Sequence, residues 1–221
     1  MKLKNCPGYK SVVKTIKAIR RLQLKNRNFT IISNNCWGGG VVSQYYDLRK
    51  NSPTVGLYFF ADDYIKFVYD LKYYVNQPLR FISLNESKYK EILEKRSANP
   101  IIGILDDVEI VFLHYHSCEE AKAKWERRCK RINWNNLFIK FSEMNLCTQG
   151  DMRAFDELAF ANKVMFTKIP RDEFKCAVYY PGYEKEDQIK LDTEPINKCI
   201  NITKFLNKKP CTYEGPYYSC D

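Results

Sequence analysis

Apolar positions along this chain recur with two alternating periods. Over residues 8–25, Val12, Val13, Ile16, Ile19 and Leu22 fall three and four apart, the spacing of one helical face, and basic residues occupy the other side. Phe29-Thr30-Ile31-Ile32-Ser33 is a short run of aromatic and β-branched residues closed by Asn34-Asn35, which predicts a buried strand. A tight loop, Cys36-Trp37-Gly38-Gly39-Gly40, then feeds a predicted helix over 41–49. The alternation continues with a strand over 55–59, a helix over 61–75, a strand over 79–82 and a charged helix over 86–96.

Residues 101–105 and 108–115 are two apolar runs around Asp106-Asp107, which predicts a hairpin. Beyond it come a helix over 118–132, a strand over 137–141, a helix over 151–161 and a strand over 163–169 that Pro170 ends. Strands alternating with helices imply an α/β protein whose mostly parallel sheet carries helices on both faces, with one antiparallel hairpin. The expected organisation is a single domain: an N-terminal basic helix (1–27), an α/β core (28–184), and a C-terminal region (185–221) made of a helix at 196–206 and a loose tail.

Composition narrows the class. With 221 residues, 45% hydrophobic and 28% charged, the chain can build one sizeable core. Its longest apolar stretches are split by Asp106 and Asp107, so no segment reaches the roughly 20 residues of a membrane-spanning helix. The first residues are basic but lack a following apolar segment, so a cytoplasmic location is expected. Nine cysteines, an odd number with no CxxC pair, argue for buried thiols rather than a disulfide framework, with Cys211 and Cys220 the pair placed to oxidise adventitiously. A net charge of +10 suits an anionic partner: a phosphate-bearing substrate, an anionic membrane surface met peripherally, or nucleic acid. No RNA-binding signature or C2H2 spacing accompanies the charge, so a nucleic-acid partner is not expected.

Three segments carry candidate chemistry. Asn34, Asn35, Gly38 and Gly39 lie beyond a strand's carboxyl end, where ligands bind in parallel sheets, and a glycine-rich turn entering a helix can present N–H groups to a phosphate. The consecutive glycines match neither a dinucleotide fingerprint nor a Walker loop. Cys36, expected at a helix N-terminus that would lower its pKa, is a candidate nucleophile, against the alternative that it packs under the loop. The two histidines, His114 and His116, fall at the end of one predicted strand on the same side and are candidates for proton transfer with Cys36; the alternative is a satisfied core histidine and a helix cap. Trp125, Arg128 and Arg131 share a helical stripe suited to phosphate or carboxylate, or else form a solvated face anchored by the indole. Metal ligands are not assigned, and any cofactor stays open.

The stretches FTIISNNCWGG (29–39), SPTVGLYFFADDY (52–64), VEIVFLHY (108–115) and WERRCKRI (125–132) resemble a bacterial domain of unknown function, numbered nineteen-nineteen, whose members are often labelled exopolysaccharide biosynthesis proteins. The resemblance spans roughly residues 28–170 and implies an α/β fold and a role in capsule or surface-polysaccharide synthesis, without assigning catalytic residues. The expected function is transfer of an acyl or glycosyl group to a saccharide from an anionic donor. A glycosyl variant would use Asp62-Asp63 or Asp106-Asp107 around a cation. The rival expectation is a non-catalytic protein that binds an anionic saccharide or lipid-linked precursor.

Overall fold

The computed structural model describes residues 8–210, 212, 213 and 215. Its eight strands divide into two four-stranded sheets of opposite character. The first is wholly parallel in the order β1 (Thr30–Ser33), β6 (Leu137–Ser142), β7 (Lys163–Thr167), β8 (Ala177–Tyr179). The second is wholly antiparallel in the order β2 (Leu57–Tyr58), β5 (Val108–Phe112), β4 (Ile101–Leu105), β3 (Arg80–Ile82). The α/β class holds, and β4–β5 is the expected hairpin. Its antiparallel pairing extends on both sides, because β2 adds along β5 and β3 along β4.

Alternation along the strands explains the layering. Ile32, Leu137, Ile139 and Met165 point from the parallel sheet into a central core that also takes Leu57, Val108, Ile110 and Phe112 from the other sheet. Helix α3 (Ala61–Tyr69) contributes Tyr64, Phe67 and Val68 to this core, and α7 (Gln149–Glu157) contributes Met152 and Phe155. Tyr64 ties the layers together, its buried hydroxyl donating to the carbonyls of Ile32 (3.0 Å) and Lys140 (2.9 Å). The opposite side chains, Ile31, Phe138, Val164 and Phe166, meet Trp37, Tyr46 and the short helix α8 (Ile202–Leu206). On the far face of the antiparallel sheet, Tyr58, Ile102 and Val111 pack under Leu93 of α5 (Lys90–Arg96).

Several boundaries moved for local reasons. The helix expected over 61–75 is two, α3 and α4 (Leu71–Asn76), because the Asp70 side chain accepts from Tyr73 N and starts a new helix. The glycine run forms a π-helical turn, Trp37–Val42, before a one-turn helix α2 (Ser43–Tyr46). Helix α1 (Tyr9–Leu22) and helix α6 (Cys118–Cys129) stand close to their expected spans. The C-terminal region is built into the fold: Ile189 and Asp192, outside the expected helix, are buried, and the helix expected over 196–206 is formed only over 202–206, with Ile202 and Leu206 buried. Cys211 and Cys220 lie outside the described residues. Among those described, Cys36, Cys118, Cys129, Cys147, Cys176 and Cys199 are free thiols.

Candidate functional site

The carboxyl ends of β1 and β6, where a parallel sheet ordinarily offers a ligand site, hold a buried charge cluster. Lys140 and Asp192 form an ion pair with their side chains 0% and 1% exposed. Asn35 donates to Asp192 (2.8 Å) and accepts from Lys140 (3.1 Å), and Ser142 Oγ donates to the same carboxylate (2.5 Å). Burial pulls the Lys140 ammonium below the ordinary lysine range, opposed by the Asp192 charge. Three buried polar atoms nearby, Trp37 Nε1, Thr167 Oγ1 and Tyr180 Oη, have no hydrogen-bond partner among the described residues. Asn34 holds both strand ends, donating to Ser142 O (3.0 Å) and accepting from Ser142 N (3.2 Å).

The glycine loop faces inward to this cluster, and four of its N–H groups are engaged within the protein. Trp37 N donates to Asn35 Oδ1 (3.1 Å), Gly38 N to Ser33 Oγ (3.2 Å), and Gly40 N and Val41 N both to Cys36 O (3.1 Å). A side chain at Gly38 would sit 2.5 Å from Ile31 Cγ2, and one at Gly39 would sit 2.3 Å from Val55 Cγ2. Close packing therefore accounts for these two glycines without a ligand.

Other candidate residues converge instead on the buried segment Val55-Gly56-Leu57. Cys36 Sγ lies 3.7 Å from Leu57 O. Leu113 N and His114 N donate to Gly56 O (2.9 and 3.1 Å). Arg128, 7% exposed, reaches from α6 to donate to Val55 O (3.2 Å) and Tyr115 Oη (2.6 Å), while the Tyr115 hydroxyl itself donates to Val55 O. Gly56 makes this crossing possible, because its φ is +75° and a Cβ there would lie 3.2 Å from Tyr115 Cε2. Cys36 and His114 are thus brought to one segment. The thiol, however, although it stands at the N-cap of the π-helical turn, is raised rather than lowered, by burial and by the nearby Asp192 charge.

Strand β5 ends at Phe112, so His114 and His116 lie on an exposed bend rather than alternating along a strand. His116 borders a cleft of about 610 Å³ formed by the end of α5, strands β4 and β5, and the start of α6. Tyr58, Arg96, Tyr115, His116 and Ser117 line it. Arg96 lies over the rings of Tyr58 (5.6 Å) and Phe60 (5.4 Å), and its Nη1 donates to Asn145 Oδ1 (3.0 Å). No carboxylate pairs with it among the described residues. Arg96 and Tyr58 escaped the sequence reading, because neither stands in a motif and only the fold brings them together.

The arginine stripe splits into different roles. Trp125, 1% exposed, packs against Phe67 and Phe112, so the indole serves the core and not a ligand. Arg128 holds the 55–57 segment. Arg131 remains near the surface, where partial burial and then the charges of Arg49, Arg127 and Arg128 lower its proton affinity. The paired acids are spoken for: Asp62 pairs with Lys66, Asp63 with Lys88, Asp106 accepts from Tyr73 Oη and Asp107 from Tyr74 Oη. Neither pair is arranged as a shared cation seat.

Fold and site together define a single-domain α/β protein whose open cleft lies beside the junction of a parallel and an antiparallel sheet. The chain belongs to the family described as a domain of unknown function, DUF1919, whose model matches residues 8–213. A protein of Haemophilus influenzae described as uncharacterized is similar to it, 38% identical over 169 residues, or 76% of this chain and 75% of that one. The family match reaches well past residue 170 and takes in Asp192, in keeping with the place of that residue in the core. Among the described residues, no helix is long and apolar enough to cross a membrane.

Proposed function

We propose that the cleft between α5 and α6 binds an anionic saccharide, in the setting of bacterial surface-polysaccharide synthesis. The observation that carries this reading is the combination of Arg96, without a carboxylate partner, with the side chains of Tyr58 and Tyr115 in one open cleft. An aromatic wall suits the apolar face of a sugar ring, and a guanidinium supplies charge-assisted hydrogen bonds to a phosphate or carboxylate. Where a group is transferred, His116 in the cleft and His114 beside it are the imidazoles placed to pass a proton. Cys36 takes a packing role in this reading, because a thiol held protonated by burial is a poor nucleophile.

Isothermal titration of the protein with a hexose phosphate and with the neutral hexose tests this. The phosphate form binds, R96A weakens it by about 10- to 100-fold, the value of a lost hydrogen bond to a charged group, and C36A leaves it unchanged. Equal binding of both sugars, or an unaffected R96A, overturns the assignment. Loss of binding in C36A with an intact melting temperature returns the thiol to the chemistry and favours acyl transfer.

A further inference from the structure

Helix α1 presents an amphipathic surface that the rest of the fold leaves open. None of its 14 residues is buried, and Val12, Ile16, Ile19 and Leu22 are 58, 41, 55 and 74% exposed. These four fall within one side of the helix, while Lys10, Lys14, Lys17 and Arg21 fall together on the other. Residues 8–27 contain seven Lys or Arg and no Asp or Glu. The helix is fastened at its C-terminal end, with Arg20 over the Tyr45 ring (3.9 Å) and Arg21 paired to Asp47 (3.1 Å). Next to that end, Asn207 accepts from Lys25 N (2.8 Å) and donates to Gln23 O (2.9 Å), which brings the lysine-rich segment 198–209 alongside. That segment carries four lysines and no acid.

We propose that α1 lies in the plane of an anionic membrane surface, its apolar stripe entering the headgroup boundary and its lysines meeting the lipid phosphates. Two arguments select this occupant. A second copy of the chain would bring two basic helices face to face, and an anionic surface removes that repulsion. Nucleic acid would satisfy the lysines but would leave Val12, Ile16, Ile19 and Leu22 without an apolar partner, whereas a bilayer interface takes both faces at once. The inference is independent of the cleft.

The test is co-sedimentation of the full chain with vesicles of phosphatidylcholine alone, or with one third replaced by phosphatidylglycerol. The expected result is binding to the anionic vesicles only, weakening as salt is raised. K14Q and K17Q should each weaken it about fivefold, the worth of one basic residue near such a surface. I19D and, separately, V12D should abolish it while the melting temperature is kept, since both positions are exposed. Anionic vesicles that fail to bind the wild-type chain at low salt overturn the proposal. So does I19D binding as wild type, a dimer that I19D dissociates in place of vesicle binding, or binding to homopolymeric RNA that I19D leaves intact in place of vesicle binding.

Discussion

Replacing Asp192 with alanine should cost about 4 kcal/mol of folding stability. The magnitude follows from what the change leaves behind. Lys140 has no exposed side-chain surface, and its remaining polar partner is Asn35 Oδ1 at 3.1 Å. Stranding one member of a buried ion pair typically costs about 3–5 kcal/mol, and the orphaned donors of Asn35 and Ser142 add to it. For a domain of this length, that corresponds to a melting temperature lower by roughly 10 °C. Urea denaturation of wild type and D192A measures the difference. The deficit should also depend on pH with a definite sign. Without its counter-charge the buried Lys140 amine is held further below the lysine pKa of the unfolded chain, so the unfolded state binds more protons over the interval between the two values. Stability of D192A therefore rises with pH through that interval, and its deficit shrinks as pH rises toward the wild-type Lys140 value, itself held below the ordinary lysine range. K140M/D192L, which removes both charges, should recover most of the loss. A D192A variant within about 1 kcal/mol of wild type, or a double variant no better than the single one, refutes the account.

Two further substitutions probe the surroundings. G39A places a methyl 2.3 Å from Val55 Cγ2 in a packed interior, so it should destabilise by about 1–3 kcal/mol, read as a lower urea midpoint; a midpoint within error of wild type would remove the packing explanation for that glycine. Burial raises the Asp63 carboxyl to about 6 despite its Lys88 partner, so between about pH 6 and 4 the folded state holds a proton that the unfolded chain does not. Wild type should then gain about 2–3 kcal/mol relative to D63N as pH falls through that window, and parallel stability profiles for the two proteins would contradict this.

The helices and strands were legible because periodicity is a local signal. Ile31 and Ile32, adjacent in sequence, enter opposite cores, as a strand buried on both faces requires. Strand β8 was not legible, since 177–179 is three residues long and half exposed, too short to show a pattern. The glycine run was read as a phosphate cradle because loop composition records a need for close approach without saying what approaches. Here Ile31 and Val55 are the neighbours. Asp192 could not be found at all: it meets Lys140 across 52 residues from an irregular segment with no periodic pattern. Trp125 illustrates the opposite case, a stripe of equal spacing that the fold divides into a core indole, a buried structural arginine and, in the turn beyond the end of α6, a surface arginine.

The backbone after β6 gives a separate reason to assign Arg96 a role beyond packing. Asn145 and Leu146 both adopt left-handed conformations, with φ of 54° and 65°. Asparagine tolerates this region, but a leucine there costs roughly 1–2 kcal/mol, and Leu146, 53% exposed, gains little burial in return. The turn is held by Ala61 N donating to Asn145 O (2.9 Å), Asn145 Nδ2 donating to Phe59 O (3.1 Å) and Asn145 N donating to Gln188 Oε1 (2.6 Å). With those groups engaged, Asn145 Oδ1 accepts from Arg96 Nη1 (3.0 Å) and holds the guanidinium over the Tyr58 and Phe60 rings. A strained turn whose side chain aims a cation into an open cleft fits a binding site better than a stability device, because an exposed guanidinium adds little to folding. Fixing it in advance lowers the ordering cost when an anion arrives, which is where such strain brings a return.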